Sequence, residues 1–357
     1  MSRGIASRRK AADDDRVVRD TNPENERPAL FVCLRCHALY PAPGACPNDG
    51  APLVLDRTDQ VLAGRYRLKQ PINLGGSGVL WEADQLALGR QVAVRIVPSH
   101  DAGASERVRR GAAVMARMAH PNIVTLHDFG EHDGRFGPEL FLVTEHLTGV
   151  PLRRYTTRDR LPIEHVVSAT VQTLRALEHV HRRGFIHRDI KPANLFVCTV
   201  DDEGCKVKLL DFGIARGTDA PGDDAEPGAE EARGKRRLTR QLQILGTPEY
   251  MAPEQILGQP LDARVDVYAV GVLLFSLLSG RLPFTGDDRM ALYQAHLRAE
   301  IPDVSGLLMA NPQGVAEWQG FFSRALAKSP DDRFASARAM RDALVRLPRV
   351  NLISAGA

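Results

Sequence analysis

The sequence predicts an α+β protein with one large two-lobed domain and a smaller N-terminal piece. Its 357 residues are enough to bury a large core. Strand-like apolar runs occupy residues 66–97, whereas a long helical pattern covers residues 163–183 and a nearly all-apolar helix covers 265–278. Three of the five cysteines lie before residue 50, which indicates a separate metal-binding segment.

Composition narrows the possible functions. The chain carries 47 Lys and Arg against 44 Asp and Glu, and a net charge of +3 is too small to indicate a nucleic-acid or membrane-surface binder. No apolar signal segment is visible at the N-terminus, and the most apolar run, residues 265–278, is too short to span a bilayer. We therefore expect a soluble, cytoplasmic protein without membrane or nucleic-acid partners.

Two segments have the composition of disordered chain. Residues 1–28 mix basic and acidic side chains and contain no aromatic residue. Residues 218–237 are rich in Gly, Pro, Ala, Asp and Glu and end in three basic residues. Neither segment has the apolar side chains that packing requires, so we expect both to be disordered.

Two cysteine-bearing turns ten residues apart predict a zinc ribbon. The first, C-L-R-C, contains Cys33 and Cys36, and the second, C-P-N-D-G, contains Cys46 and Asp49. Such turns present ligands to one tetrahedral ion, and a segment this short has too little core to fold unaided. The fourth ligand is either an oxygen of Asp49 or a nitrogen of His37. The alternative is a metal-free loop with free thiols.

A glycine-rich hairpin and a polar loop follow. Residues 73–78 (N-L-G-G-S-G) separate two strand-like runs, and glycine amides can close over phosphates without obstruction by side chains. Within residues 185–197, a loop that contains Asp189, Lys191 and Asn194 lies between two apolar runs. Asp211 ends the next strand. Phosphoryl transfer needs such groups: a carboxylate for the hydroxyl proton, a cation for the γ-phosphate, and an amide and a carboxylate for magnesium.

The order H-R-D-I-K-P-A-N and then D-F-G resembles the catalytic and metal loops of the protein kinases. The resemblance covers roughly residues 64–347 and implies a small β-rich lobe with the hinge over 64–147 and a large helical lobe over 148–347. The cysteine segment, residues 29–56, resembles the small ribbons placed ahead of some bacterial kinases. The implied function is ATP- and magnesium-dependent phosphorylation of protein serine or threonine hydroxyls in bacterial signalling.

The resemblance also assigns roles to site residues. Asp189 would accept or orient the hydroxyl proton, and Lys191 would neutralise the γ-phosphate. Asn194 and Asp211 would hold magnesium. The implied ATP-binding residues are Ile72, Asn73, Gly75, Gly76, Ser77, Gly78, Leu80, Ala93, Arg95, Glu145, Leu147 and Phe196.

Within this implied ATP site, the residues divide by the part of the nucleotide that they meet. Leu80 and Ala93 would form the apolar roof over adenine, and Phe196 its floor. Backbone groups of Glu145 and Leu147 would meet the base. The glycine hairpin would cover the phosphates.

Two departures from the family pattern bear on activity. Arg95 stands where the family has the lysine of its third strand, and arginine keeps the charge but directs it differently. Gly111, nine positions before His120, stands where the family usually has the glutamate that pairs with that lysine, and Glu106 lies on another side of a helix. Either Arg95 alone still reaches the phosphates, or the chain is an impaired, nucleotide-binding pseudokinase. Such a scaffold would use the ribbon to dock a protein partner.

The resemblance places four further features. Thr239 is a candidate phosphosite, whose phosphate would pair with Arg188 and order the activation segment. Thr247 occupies the position typical of serine/threonine kinases. Asp266 is implied to hold the catalytic-loop backbone, and Arg333 is implied to pair with Glu254.

A third alternative makes the ribbon a nucleic-acid reader, although it lacks a basic face with aromatic residues.

Overall fold

The computed structural model describes residues 30–75, 78–99, 102–135, 137–157, 161–201, 204–212, 216–217, 247–305, 308–309, 312–348 and 351–352. The chain divides into two compact units, one ending at Asp56 and the other beginning at Arg57. The segments predicted to be disordered, 1–28 and 218–237, lie outside the described residues. No helix in the described ranges combines the length and apolarity that crossing a membrane requires.

The first unit contains a small antiparallel sheet. Its strands are β1 (Phe31–Cys33), β2 (Leu39–Tyr40) and β3 (Leu53–Leu55), in the order β2-β1-β3. The buried cluster around the cysteines consists of Cys33, Cys46 and Ala51, with Tyr40 and Leu53 packed against it. A core of this size stabilises a fold only weakly, because the hydrophobic contribution scales with the apolar area removed from water.

The second unit begins with a six-stranded antiparallel sheet of order β4-β5-β6-β7-β9-β8. Its strands are β4 (Val61–Leu62), β5 (Tyr66–Gly75), β6 (Gly78–Gln85), β7 (Arg90–Pro98), β8 (Leu126–Gly134) and β9 (Gly137–Glu145). Helix α1 (Ala102–Met115) packs on one face of this sheet, where Val108 and Ala112 contact Val97 and Leu142. The strand-like runs of the sequence are confirmed here as β5, β6 and β7.

Helices dominate the rest of the second unit. They are α2 (Arg154–Thr157), α3 (Ile163–His181), α4 (Pro253–Ile256), α5 (Arg264–Ser279), α6 (Arg289–Arg298), α7 (Pro312–Ala325) and α8 (Ala337–Leu344). Helix α5 is buried on nearly every side, as its apolar sequence predicts, and ends at Gly280, whose φ of 72° suits glycine. Together with α3, α7 and α8 it builds the main hydrophobic core.

Short strands also occur in the second unit. They are β10 (Gly149–Pro151), β11 (Phe185–Ile186), β12 (Leu195–Asp201), β13 (Gly204–Leu209), β14 (Arg216–Gly217), β15 (Leu308–Met309) and β16 (Asn351–Leu352). Strands β12 and β13 form an antiparallel hairpin in which Leu195 pairs with Leu209. This register matters for the site, because Asn194 directly precedes one strand of the hairpin and Asp211 follows the other.

A buried ion pair joins two segments of the helical lobe. Arg333 donates to both carboxylate oxygens of Glu254 at 2.7 Å, and its Nε donates to the carbonyl of Ala327 at 2.8 Å. The Arg333 side chain is fully buried. The pair implied by the sequence is therefore present, and it fixes α4 against the segment before α8.

Replacing Arg333 with Ala should destabilise the protein by about 3–5 kcal/mol, because it leaves the Glu254 carboxylate buried without its cation. Urea denaturation followed by circular dichroism measures this free energy. Arg338→Ala is the control, since Arg338 is 69% exposed in an i,i+4 pair with Asp342 and should change stability by less than about 1 kcal/mol. Equal effects of the two substitutions would contradict the structural role of the buried pair.

Candidate active site

A buried carboxylate holds the backbone of the catalytic loop. Asp266, in the first turn of α5, is 1% exposed and accepts hydrogen bonds from the backbone N–H of His187 (2.9 Å) and of Arg188 (2.8 Å). Its Oδ2 also lies 2.7 Å from Nε2 of His181, at the end of α3. Two bonds from successive loop residues and one from the end of α3 therefore meet at Asp266 and fix the start of the loop, with Arg188 in the left-handed region at a φ of 69°.

These hydrogen bonds also control the ionisation of Asp266. Burial by itself raises the pKa of this carboxyl, because a charge is poorly solvated in the interior. The hydrogen bond from His181 and the backbone N–H of His187 favour the ionised form and outweigh burial, so the net pKa lies below its usual value. The carboxylate is thus the form that holds the loop together.

Four polar side chains meet at the centre of the loop. Lys191 Nζ lies 2.7 Å from Asp189 Oδ2 and donates to the Thr247 hydroxyl at 2.7 Å. That hydroxyl in turn donates to Asp189 Oδ1 at 3.3 Å, and Asn194 Nδ2 donates to Asp189 Oδ2 at 2.9 Å. Asp189, the proposed proton acceptor, therefore lies within hydrogen-bond reach of the ammonium group of Lys191 and the amide of Asn194. Thr247 joins this group from a segment more than fifty residues later in the chain.

The β12–β13 hairpin brings the two proposed magnesium ligands to the same end. The backbone N–H of Leu210 donates to the carbonyl of Asn194 at 2.8 Å, so Asp211 follows immediately beside Asn194. Asp211 is exposed and has a φ of 52°, whereas the next residue, Phe212, is buried. An exposed acid on strained backbone, next to an amide, can offer oxygen ligands to a hard cation.

His187 and Phe212 link the two loops behind the site. Their rings lie 5.0 Å apart in an edge-on arrangement, and Nε2 of His187 is 3.1 Å from the carbonyl of Leu210. Both side chains are buried. The sequence offered the residues but no signal for their contact, because they lie 25 positions apart along the chain.

The glycine hairpin joins β5 to β6, and its described part shows a close backbone approach. Gly75 pairs with Gly78, which has a φ of 110°, and a Cβ on Gly78 would lie 2.1 Å from the carbonyl oxygen of Ile96. Only glycine fits at this position. Ile72 and Asn73 are exposed on β5, while Gly76 and Ser77 lie outside the described residues.

One face of the sheet carries the other proposed nucleotide contacts. Arg95 pairs with Leu80 on one side and with Leu142 on the other, and Ala93 pairs with Thr144. Directly paired residues of antiparallel strands project to the same face, so these side chains share one face of the sheet. Leu142 packs against α1, which places Arg95 on the face that α1 covers.

Helix α1 carries the buried Gly111 at the position where the family resemblance implies a glutamate. Gly111 is buried next to Ala112, whereas Glu106, the only acid in residues 102–115, is exposed and lies 3.6 Å from Arg110. The inward face of this helix therefore has no carboxylate to offer to Arg95.

The hinge follows β9. Glu145 ends that strand, and Leu147 packs against the main core. Phe196 pairs with Pro151 and is half-buried on β12, below the hinge. Burial raises the pKa of the Glu145 carboxyl. Hydrogen bonds from Lys208 and from the backbone of Thr125 lower this pKa by more than burial raises it, so the net pKa is below its usual value. Lys208 was missed by sequence reasoning, although a lysine inside the apolar run 207–210 was a signal.

In the first unit, four candidate metal ligands converge. The ligand atoms of Cys33, Cys36, Cys46 and Asp49 all lie within 4.8 Å of one another, the one such group in the described ranges. The backbone N–H groups of Arg35 and Cys36 donate to the Cys33 sulfur, at 3.3 and 3.4 Å. The other residue considered in the sequence, His37, has a φ of 57° and is not in the group.

Fold and site together define a protein kinase domain. Residues 66–345 match the family model described as "Protein kinase domain", so the chain belongs to the protein kinase family. Among the curated proteins that it resembles are bacterial serine/threonine-protein kinases. The serine/threonine-protein kinase Pkn1 of Myxococcus xanthus is 36% identical over 287 residues, which are 80% of this chain and 38% of Pkn1. PknA of Mycobacterium tuberculosis is 34% identical over 293 residues, 81% of this chain and 62% of PknA.

A solved structure agrees with this assignment. The crystal structure of the Mycobacterium tuberculosis PknI kinase domain is similar with a TM-score of 0.58 and 26% identity, over 82% of this chain and 99% of that domain. The chain spans about two fifths of Pkn1 and about three fifths of PknA. The similarity therefore concerns the kinase domain of these relatives rather than their full length.

Lowering the pH should remove the contribution of Asp266 to stability. A carboxyl whose folded pKa lies below its unfolded value stabilises the fold above about pH 4, and the effect is lost as the pH falls through the folded pKa. Urea unfolding from pH 7 to pH 3 should show Asp266→Asn less stable by about 2–4 kcal/mol at pH 7, with the difference shrinking at acid pH. Exposed Asp287→Asn is the control, and a difference independent of pH would contradict this account.

Proposed function

We propose that this protein is an ATP- and magnesium-dependent kinase that phosphorylates serine or threonine hydroxyls of proteins in bacterial signalling. The observation that carries the proposal is the cluster of Asp189, Lys191 and Thr247 with Asn194, all within 3.3 Å of a partner in the group. A carboxylate beside a lysine, on a loop held by a buried acid, suits phosphoryl transfer, in which placement and charge supply most of the rate.

Each residue of the cluster has a proposed part in the transfer. Asp189 accepts the proton of the substrate hydroxyl. At the same time the hydroxyl oxygen bonds to the γ-phosphorus, and the bond between the γ-phosphorus and the β–γ bridging oxygen breaks, so that ADP leaves. Lys191 neutralises charge on the transferred group. Asn194 and Asp211 hold magnesium, which when bound neutralises the phosphate oxygens. The oxygen-rich pair at the end of the β12–β13 hairpin fits such a hard cation.

The nucleotide itself is proposed to lie between the sheet and the β12–β13 hairpin. The backbone of Glu145 and Leu147 contacts adenine, which lies between Ala93 above and Phe196 below. The hairpin around Gly78 covers the phosphates, because the backbone there can approach a ligand without a side chain. Arg95 reaches the phosphates from β7.

We also propose that this kinase is slow. Gly111 leaves the inward face of α1 without the acid that would orient the cation on β7, and a misplacement of about 1 Å can cost about 100-fold in rate. The same observation favours a second candidate, a nucleotide-binding pseudokinase that serves as a scaffold and docks a partner through the ribbon. The intact cluster around Asp189 favours the enzyme.

Activity also has a proposed control point outside the described residues. Phosphorylation of Thr239 would place a dianion where Arg188, beside Asp189, can bind it, and so order the activation segment. Mass spectrometry of the protein after incubation with ATP and magnesium tests this directly. Phosphate on Thr239 supports the proposal, and a fully active Thr239→Ala variant contradicts it.

Transfer of labelled phosphate from ATP to the protein tests the kinase proposal. The wild type should be slow, Asp189→Ala inactive, and the double variant Arg95→Lys with Gly111→Glu faster by about 10-fold or more, because it restores an oriented cation. Arg90→Lys, a change at the exposed start of the same strand, is the control and should leave the rate unchanged. A wild type that binds ATP but transfers no more phosphate than Asp189→Ala would favour the scaffold.

A structural zinc ion in the first unit is the second part of the proposal. Three cysteine sulfurs and one carboxylate whose ligand atoms lie within 4.8 Å of one another are a donor set that suits tetrahedral zinc, and the described residues of this group include no base for catalysis. The small core of this unit makes a metal ion the main source of its stability. None of the five cysteines, all of which lie in the described residues, forms a disulfide, which is consistent with the reducing cytoplasm, where we propose that the protein acts.

Elemental analysis of the freshly purified full chain should find one zinc ion per molecule. Cys33→Ser and Asp49→Ala should each lose it, because three remaining ligands do not complete the tetrahedral site. His37→Ala and Cys198→Ser are matched controls that should retain it. Absence of zinc from the wild type would remove the proposal, and loss in His37→Ala with retention in Asp49→Ala would make His37 the fourth ligand.

A further inference from the structure

A lysine lies buried in strand β13, three residues before the proposed magnesium ligand Asp211. The Lys208 residue is 7% exposed, and its Nζ lies 2.7 Å from Oε1 of Glu145 and donates to the carbonyl of Ile123 at 3.4 Å. Burying an ammonium group is costly unless it is paired and hydrogen-bonded. Its position is therefore set by these two partners.

The partner carboxylate is held as firmly. Glu145 Oε1 also accepts the backbone N–H of Thr125 at 2.8 Å, and the N–H of Glu145 donates to the carbonyl of Thr125 at 3.1 Å. The bond from its N–H fixes the Glu145 backbone, and the bond to Oε1 together with the ion pair fixes its side chain.

The short segment between the pair is bonded to β13 as well. The N–H of Leu209 donates to the carbonyl of Asn122 at 2.8 Å, and the N–H of Val124 donates to the carbonyl of Leu209 at 3.0 Å. Asn122 is buried and its Nδ2 donates to the carbonyl of Val207 at 2.9 Å. An unbroken set of hydrogen bonds therefore runs from the hinge, through residues 122–125, to the strand that ends at the metal loop.

The two ends of this network coincide with the two ends of the proposed nucleotide site. Glu145 presents its backbone where adenine is proposed to bind, and β13 leads directly to Asp211 at the phosphates. The inference rests on that proposed site, because it concerns how the two ends are kept at one distance.

We propose that Lys208 and Glu145 are positioning residues that fix the separation between the hinge and the metal loop, so that one nucleotide engages both at once. Neither side chain touches the nucleotide in this arrangement. A ligand that contacts only the hinge does not depend on the separation, whereas a ligand that bridges hinge and metal does. This difference distinguishes positioning from a contribution to stability alone.

Calorimetric binding of two ligands to the full chain tests the proposal. Adenosine reaches only the hinge, and Mg·ADP bridges hinge and metal loop. Lys208→Met should weaken Mg·ADP by about 5- to 20-fold, within the usual range of coupling between sites, and adenosine by less than about 2-fold. Lys206→Met is the matched control, since Lys206 is exposed on the same strand and should change neither affinity.

A second variant keeps the test open if Lys208→Met does not fold. Glu145→Gln retains an acceptor oxygen and loses the charge, so it should weaken Mg·ADP selectively too. The double variant should be no weaker than the worse single variant, as expected for residues that act as a pair. Equal weakening of both ligands, or unchanged affinity for both, would overturn the positioning role. A wild type that binds neither ligand would instead overturn the proposed nucleotide site.

Discussion

The site depends on one buried carboxylate. Asp266 sits in the first turn of a helix that is itself enclosed by the core, so its position is set by packing rather than by solvent. From there it holds two successive backbone N–H groups of the catalytic loop and the ring of His181. The loop can consequently keep Arg188 in a strained conformation and present Asp189 in one orientation. The position of the catalytic loop is thereby set by a helix that is packed in the core.

A second constraint ties together parts of the site that come from distant stretches of chain. The β12–β13 hairpin sets Asn194 beside Asp211 through its register, and the bonds through residues 122–125 extend that register to the hinge. Backbone hydrogen bonds supply most of these links. The buried ion pair of Lys208 with Glu145 adds a direct side-chain link between β13 and the hinge.

Local pattern predicted much of this arrangement. Alternating apolar residues indicated β5 to β7, the all-apolar run indicated α5, and the polar loop between apolar runs indicated where Asp189 and its neighbours lie. Contacts between residues far apart in sequence were beyond such reasoning, because spacing carries no information about which buried charges meet. The pairing of Lys208 with Glu145 and the edge-on contact of His187 with Phe212 are examples. The choice between Asp49 and His37 also depended on the turn geometry, which spacing does not specify.

The buried glycine of α1 has a consequence for control. In a kinase whose helix carries an inward glutamate, rotating the helix outward breaks an ion pair and so separates an active from an inactive state electrostatically. With Gly111 at that position, and Glu106 directed to solvent, turning the helix would neither make nor break such a pair. Control by an ion pair between an inward carboxylate of this helix and Arg95 is therefore not available to α1, and a rotation would instead disturb the exposed pair of Arg109 on α1 with Glu131 on β8.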